Sequence, residues 1–160
     1  MLNIVLVEPE IPQNTGNIAR TCAATGAVLH LIEPLGFSLD EKAVRRAGLD
    51  YWHLVEVRTY KNLQEFFEKN PEGSYFYATT KGRHIYAEAQ IPANAYLLFG
   101  KETKGLPEDL LKEHPERCMR IPMIHESRSL NLSNAVAVVA YDVLRQNGFP
   151  GLQELGNFPE

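Results

Sequence analysis

Three polar segments of the 160-residue chain carry the residue types from which a catalytic or ligand-binding site could be built. The first, residues 14–20, contains amides, a glycine and an arginine at a predicted helix start. The second, residues 100–105, places a carboxylate and two lysines between glycines after an apolar strand. In the third, five of the eight residues 127–134 are Ser or Asn. One helix N-cap needs fewer such side chains, so this segment predicts a polar loop shaped around a ligand.

Each segment also has an ordinary structural explanation when it is considered alone. Residues 14–20 fit a capped helix with Arg20 on its solvent face, and residues 100–105 fit a turn between two glycines. The second segment is not a phosphate-binding P-loop, because Leu106 follows Gly105 where that motif requires a lysine. The sequence also lacks a Gly-x-Gly-x-x-Gly fingerprint, which argues against a generic nucleotide-binding hydrolase.

An alternation of strands and helices must position these segments. The predicted strands are residues 2–7, 27–32, 53–57, 74–79, 96–99 and 118–121. The predicted helices are residues 14–25, 39–47, 61–69, 107–112 and 132–146, with Asn14 as the N-cap of the first and Gly26 beyond its end. This alternation predicts an α/β fold with a mostly parallel open sheet flanked by helices. Ligands of such sheets bind beyond the carboxyl ends of the strands, where the polar segments fall.

Length and composition predict a single domain over residues 1–150, followed by a tail at residues 151–160. No apolar run approaches the ~18 residues of a membrane span, and the first residues are typical of a strand rather than a signal peptide. Cys22 and Cys118 have neither metal-binding nor disulfide spacing, so we expect buried thiols, no metal ion and a cytoplasmic location. The formal net charge of −4 argues mildly against a nucleic-acid partner, although a local basic patch can coexist with an acidic average.

The three segments occur together in one order, and that combination is specific. They read Asn14…Gly16-Asn17…Arg20, then Leu98-Phe99-Gly100…Glu102…Gly105-Leu106-Pro107, then Ile121-Pro122-Met123…Ser127-Arg128-Ser129-Leu130-Asn131-Leu132-Ser133-Asn134-Ala135. In this pattern the chain resembles, over essentially its whole length, the SPOUT superfamily of knotted RNA methyltransferases. It is most similar to the minimal single-domain branch that methylates the ribose 2′-hydroxyl of the tRNA wobble nucleotide, cytidine or modified uridine, with leucine tRNAs implied.

The resemblance implies a C-terminal trefoil knot, S-adenosyl-L-methionine as cofactor, tRNA as partner, and a homodimer paired through the first and last helices. It also implies roles for individual residues. Arg20 would activate the 2′-hydroxyl, and because a guanidinium stays protonated, it would either stabilise the developing alkoxide or pass the proton to a substrate phosphate. The supporting catalytic residues would be Asn14, Glu102, Ser129 and Asn131. The cofactor would lie against Ala78, Thr79, Gly100, Glu102, Ile121, Met123, Ser129 and Leu130. The RNA would contact Arg20, Arg45, Arg46, Lys81, Lys104, Arg128 and Tyr141.

Two positions depart from the pattern of that branch, which usually reads Gly-Pro-Glu-Thr-Arg-Gly in the second segment. Lys101 stands at the Pro position, and Lys104 stands at the Arg position. Lys104 keeps the positive charge but lacks the planar guanidinium fork. The alternative function is a non-catalytic RNA-binding or scaffold protein with a degenerate knot, and the intact set of predicted catalytic residues argues against it.

Overall fold

A parallel β-sheet is the scaffold of the chain. The computed structural model describes residues 1–40, 42, 52–124 and 129–159. Within those ranges the sheet has seven strands: β1 (Asn3–Val7), β2 (Val28–Ile32), β3 (Val57–Tyr60), β4 (Tyr75–Ala78), β5 (His84–Ile85), β6 (Tyr96–Phe99) and β7 (Cys118–Arg120). Their order is β3-β2-β1-β6-β4-β7-β5, and the neighbouring strands pair in parallel. The predicted α/β sheet is confirmed, and the trefoil knot stays a prediction.

Helices connect the strands. The described α-helices are α1 (Pro12–Thr25), α2 (Leu63–Lys69), α3 (Glu108–Glu113) and α4 (Leu132–Gln146), with short 3₁₀ helices at Trp52–Leu54, Tyr86–Glu88 and Pro115–Arg117. None of these helices is both long and apolar enough to cross a membrane. The predicted helix at residues 39–47 falls mainly on residues outside the described ranges.

Strand β1 is buried on both faces because helices cover each side of the sheet. Ile4 packs on one face in a cluster with Ile18 of α1 and Val136 of α4. Val5 points to the opposite face and packs in a second cluster with Phe66 of α2. Apolar runs of this kind are typical of a parallel strand covered on both sides. Burying each large aliphatic side chain contributes about 1.5–3 kcal/mol to the free energy of folding. The apolar side chains of β1 and its neighbours therefore stabilise the packing of the helices on both faces of the sheet.

Helix α1 begins two residues earlier than predicted. Pro12 occupies the first turn, where its missing N–H costs nothing, and Ile11 is the N-cap residue. Ile11 makes no side-chain capping bond, and Asn14 lies buried within the first turn, so the prediction of Asn14 as N-cap is wrong. The predicted helix end is confirmed, because Gly26 adopts φ 76° and its N–H donates to the carbonyl of Cys22.

The third strand lies further along the chain than predicted. Residues 52–54 form a 3₁₀ helix, and β3 runs from Val57 to Tyr60 in register with Leu29 to Ile32 of β2. As an edge strand, β3 exposes Arg58 and Thr59 and buries Tyr60. The prediction of a strand at residues 53–57 is wrong, because it followed the apolar residues there. An edge strand such as β3 buries few side chains, so its own sequence carries little apolar pattern.

The segment after α4 has no helix or strand between residues 152 and 159. Phe149 and Leu152 pack against the main core cluster. Leu155 and Phe158 are exposed. The boundary between a domain and a tail near residue 150 stays a prediction.

A buried histidine is the centre of a polar network between strands. His30 of β2 is fully buried, with Nδ1 2.8 Å from the Tyr60 hydroxyl and Nε2 2.8 Å from Oδ1 of Asn3. Because an amide oxygen only accepts, Nε2 carries the proton and Nδ1 accepts from Tyr60. Asn70 donates to the same Tyr60 hydroxyl and accepts from the hydroxyl of Tyr96. The imidazole is therefore held neutral.

We expect His30 to make folding stability depend on pH. Burial, with a smaller effect of Arg58, lowers the pKa of His30 from 6.5 to about 4. Between pH 6.5 and 4 the unfolded chain therefore binds a proton at His30 that the folded chain does not bind. The folding stability that is present above pH 6.5 is lost as the pH falls through this range. The full loss, reached below pH 4, is about 3 kcal/mol, of which about 2 kcal/mol appears by pH 5. Urea unfolding of the wild type and of His30→Gln at pH 7, 6 and 5 measures it. The free energy of unfolding should change less with pH in His30→Gln than in the wild type. Identical slopes in the two proteins would contradict the assignment of this pH dependence to His30.

Candidate functional site

The polar segments meet at the carboxyl edge of the sheet, where they enclose a cavity of about 580 Å³. Its walls come from the start of α1, the loops after β4, β6 and β7, and the start of α4. This is the edge at which parallel sheets bind ligands, and the volume is typical of a small-molecule or cofactor site.

The residues predicted to hold a cofactor are brought together in this cavity. The lining includes all eight of them, Ala78, Thr79, Gly100, Glu102, Ile121, Met123, Ser129 and Leu130. It also includes Asn14 and Asn131 of the predicted catalytic set, and Lys81 and Lys104 of the predicted RNA-binding set. Segments that are more than 80 residues apart in sequence therefore form one site.

Two predicted residues do not line the cavity. Arg20 is exposed on α1, six residues beyond Asn14, which on an ideal helix is ~9 Å further along the axis and on another face. Tyr141 is 44% exposed on the outer face of α4. The predicted RNA contacts that lie outside the described residues are Arg45, Arg46 and Arg128.

The carboxylate of Glu102 joins the loop after β6 to the start of α1. Its Oε1 accepts from the backbone N–H of Glu10 at 2.8 Å. Its Oε2 accepts from the N–H of Ile11 at 2.9 Å and from Nδ2 of Asn14 at 3.1 Å. These two backbone N–H groups belong to the N-cap residue Ile11 and to the residue before it. Glu102 therefore takes, from a distant loop, the place of the side chain that reaches back to the N-cap N–H in a capping box, at the positive end of the helix. Glu102 therefore orients Asn14 and α1.

The loop after β6 makes its closest backbone approach at Gly100. A Cβ atom at this position would lie 1.9 Å from the carbonyl carbon of Gly105 and 2.1 Å from the nitrogen of Leu106. Gly105 adopts φ 70°, and its N–H donates to the carbonyl of Lys101 at 2.9 Å. The loop thus closes on itself, and only glycine at position 100 leaves room for that closure.

Asn131 begins α4 as its N-cap. Its Oδ1 accepts from the backbone N–H of Ser133 at 2.9 Å and from the Ser133 hydroxyl at 2.6 Å. The predicted catalytic amide is thus engaged in helix capping through its oxygen. Ser129 and Leu130 precede it and are exposed at the cavity.

Lysines lie around the cavity, and two of them pair with carboxylates. Lys81 forms an ion pair with Glu108 at the start of α3. Nζ of Lys101 lies 3.6 Å from Oε1 of Glu8, so the replacement at the Pro position brings a charge pair to the site. Lys104 lines the cavity and is exposed. Three lysines thus lie at the cavity, and carboxylates neutralise two of them.

Some lining residues gave no functional signal in the sequence. Ile11, Tyr86, Thr103, Met119 and Val139 line the cavity. Apolar residues serve the core and the cavity alike, so their type does not distinguish the two. Thr103 follows Glu102 in the second segment and was not selected.

The cysteines are buried thiols, as predicted. Burial raises the pKa of Cys22 to about 12 and raises the pKa of Cys118. Neither thiol is therefore activated as a nucleophile. Among the described side chains, no group of three or more His, Cys, Asp or Glu residues is placed to hold a metal ion.

Comparison with known proteins identifies the family. The SpoU rRNA Methylase family matches residues 1–141, which include all three polar segments. The chain belongs to this family. The resemblance to SPOUT RNA methyltransferases is thereby confirmed, and the SpoU match extends from β1 into α4.

Individual proteins match this chain over most of its length. The tRNA (cytidine(34)-2′-O)-methyltransferase of Aeromonas hydrophila is 53% identical over 156 residues, which cover 96% of this chain and 100% of that protein. A solved structure described as giving structural insights into the 2-OH methylation of C/U34 on tRNA has a TM-score of 0.86 and 48% identity, covering 92% of this chain and 97% of that one. An AdoMet-bound rRNA methyltransferase from Sinorhizobium meliloti has a TM-score of 0.76 and 25% identity, covering 90% of this chain and 56% of that one.

Proposed function

We propose that the chain transfers a methyl group from S-adenosyl-L-methionine to the ribose 2′-hydroxyl of the tRNA wobble nucleotide, cytidine or modified uridine, in the cytoplasm. The observation that carries this proposal is the single cavity in which the predicted cofactor residues meet. It is supported by relatives at about half identity that are named for this reaction. The retention of Asn14, Arg20, Glu102, Ser129 and Asn131 disfavours the non-catalytic alternative.

The cavity residues fit this cofactor. The tight approach at Gly100 leaves the loop backbone, rather than a side chain, to form one wall. Ile121, Met123 and Leu130 add apolar surface, while Thr79 and Ser129 add hydroxyl groups that can orient polar parts of a ligand. The bound cofactor would supply an electrophilic methyl group, so the reaction places no demand on a metal-binding side chain.

The remaining chemistry is alignment and charge stabilisation. Arg20 remains a cation throughout, so its proposed task is to orient the 2′-hydroxyl and stabilise the developing alkoxide. Glu102 and Asn14 hold the start of the helix on which Arg20 lies. Lys81 and Lys104 supply positive charge for the RNA backbone at the cavity. These residues together position a polyanionic substrate beside the cofactor.

The outer surface of α1 and α4 is the proposed homodimer face. The two helices pack against each other, and each leaves one stripe exposed at spacings of three and four residues. The exposed positions are Gln13, Asn17, Arg20 and Ala24 on α1 and Asn134, Val138, Tyr141 and Arg145 on α4. A second copy on this face would bring Arg20, which does not line its own cavity, into a shared surface for tRNA.

Replacing Gly100 tests the cofactor assignment. In Gly100→Ala the added methyl group would overlap the backbone of Gly105 and Leu106, so the loop must move. Affinity for S-adenosylhomocysteine should fall at least ~tenfold, or ~1.4 kcal/mol, by calorimetry. Gly156→Ala is the matched control, because nothing lies within 4 Å of a Cβ there. Unchanged affinity in a folded Gly100→Ala variant would place the cofactor elsewhere.

Methylation of unmodified tRNA tests both the reaction and Arg20. The wild type should yield a 2′-O-methylated wobble nucleotide, detected by nucleoside mass spectrometry. Arg20→Ala should lower the single-turnover rate ~10²–10³-fold, because a preorganised donor to the developing charge is lost. Arg20→Lys should recover little of the rate, since the point charge of an ammonium group does not reproduce the planar, paired donors of a guanidinium. Affinity for S-adenosylhomocysteine should stay near wild type.

Arg58→Ala on the edge strand β3 is the control for loss of one exposed arginine. A wild-type single-turnover rate in Arg20→Ala with weakened tRNA affinity would reassign Arg20 to phosphate binding. Methylation of a nucleotide other than the wobble nucleotide would contradict the proposed substrate.

Sedimentation equilibrium at micromolar concentration tests the dimer. The mass should be twice the 18.1 kDa of the chain. Tyr141→Glu should shift the protein toward monomer, because it places a charge in the centre of the proposed face. A wild-type monomer that methylates tRNA would exclude the shared surface.

A further inference from the structure

Two glutamates join the loop after β1 to the loop after β6 by reciprocal hydrogen bonds. Oε1 of Glu10 accepts from the backbone N–H of Thr103 at 3.1 Å and from the Thr103 hydroxyl at 2.8 Å. In the opposite direction, Glu102 accepts from the backbone N–H of Glu10 at 2.8 Å. We call this set of contacts between Glu10, Glu102 and Thr103 the clamp.

The loop that carries Glu10 is also held on its other side. The N–H of Gly36 donates to the carbonyl of Pro9 at 2.9 Å. A Cβ atom on Gly36 would lie 2.5 Å from the carbonyl oxygen of Glu10, so the two backbones are in close contact. Glu10 therefore extends toward Thr103 from a braced backbone. The Thr103 hydroxyl and N–H bonds lower the pKa of Glu10, which keeps it an anionic acceptor at neutral pH.

We propose that Glu10 is a positioning residue for methyl transfer. Through Thr103 it fixes the loop at residues 101–105 against the start of α1, and so sets the cofactor cavity relative to the helix that carries Asn14 and Arg20. This inference rests on the proposed function. Glu10 does not line the cavity, and Thr103 does.

The clamp should affect the rate of transfer more than it affects cofactor binding. The loop at residues 101–105 closes on itself through the Gly105 N–H and the Lys101 carbonyl, and this bond does not involve Glu10. The cavity wall should therefore keep its shape when Glu10 is removed, while its position relative to α1 loosens. Misplacement of reacting groups by ~1 Å can cost ~10²-fold in rate, so a looser clamp should slow the chemical step.

The test uses Glu10→Ala, Thr103→Val and the double variant. Single-turnover methylation at saturating tRNA and S-adenosyl-L-methionine should fall about tenfold in Glu10→Ala. It should fall less in Thr103→Val, which keeps the backbone N–H bond to Glu10. The double variant should be no slower than Glu10→Ala. Affinity for S-adenosylhomocysteine should remain within about threefold of wild type. Additive losses in the double variant would show that the two side chains act separately, which would overturn the proposal.

A conservative replacement separates the hydrogen bonds from the charge. Both bonds from Thr103 go to one oxygen of Glu10, so Glu10→Gln keeps the acceptor and removes the charge. Glu10→Gln should restore the rate to within about threefold of wild type, and Glu10→Asp, which is one methylene shorter, should not. Glu72→Ala, in the turn before β4 at the amino edge of the sheet, should be unaffected. A Glu10→Gln variant as slow as Glu10→Ala would assign the effect to charge and overturn the clamp.

Amide hydrogen exchange tests the clamp without a measurement of catalytic activity. The Thr103 N–H should be protected in the wild type and should exchange faster in Glu10→Ala. Wild-type protection in that variant would overturn the clamp and leave the proposed function intact. If the wild type methylates no tRNA, the proposed function fails, and the role of Glu10 in methyl transfer fails with it. Faster Thr103 exchange in Glu10→Ala would then show that the clamp itself stands.

Discussion

The geometry of the site depends on the hydrogen bonds that the Glu102 carboxylate accepts from residues at the start of α1. The N–H groups of Glu10 and of the N-cap residue Ile11 lead into α1 and need an acceptor. The acceptor comes from the loop after β6, so the helix start and the cavity wall satisfy each other. All three of these donors belong to the chain at or just before the start of α1. Glu102 is therefore better described as the residue that aligns the two halves of the site.

The same interaction explains what the sequence could and could not predict. Apolar runs predicted β1, β2 and β6, because strands buried on both faces must be apolar throughout. The start of α1 was misplaced because its capping group lies 91 residues away from Ile11, beyond the reach of any local rule. The position of β3 was missed because an edge strand with two exposed side chains leaves a weak pattern.

The residues predicted to hold the cofactor line one cavity, and their roles there stay predictions. Resemblance to a family grouped these residues from the ends of three strands, β4, β6 and β7, and the loops after them, and the cavity contains all of them. Among the described residues predicted for catalysis or RNA binding, Arg20 and Tyr141 lie outside the cavity, since residue spacing on a helix does not say which neighbouring surface a side chain will contact. The His30 network was also invisible in the sequence, because a lone histidine in an apolar strand does not reveal partners at residues 3 and 60.

The strand order has a consequence for the synthesis of the protein. β6 lies between β1 and β4, so the middle of the sheet is completed only when residues 96–99 are available. While the chain emerges from the ribosome, β1 can pair with β2, but its other edge stays open over most of the first hundred residues. An unpaired apolar strand edge is a site for pairing with other chains. Nascent chains of this protein should therefore be most prone to association, and most in need of chaperones, just before β6 emerges.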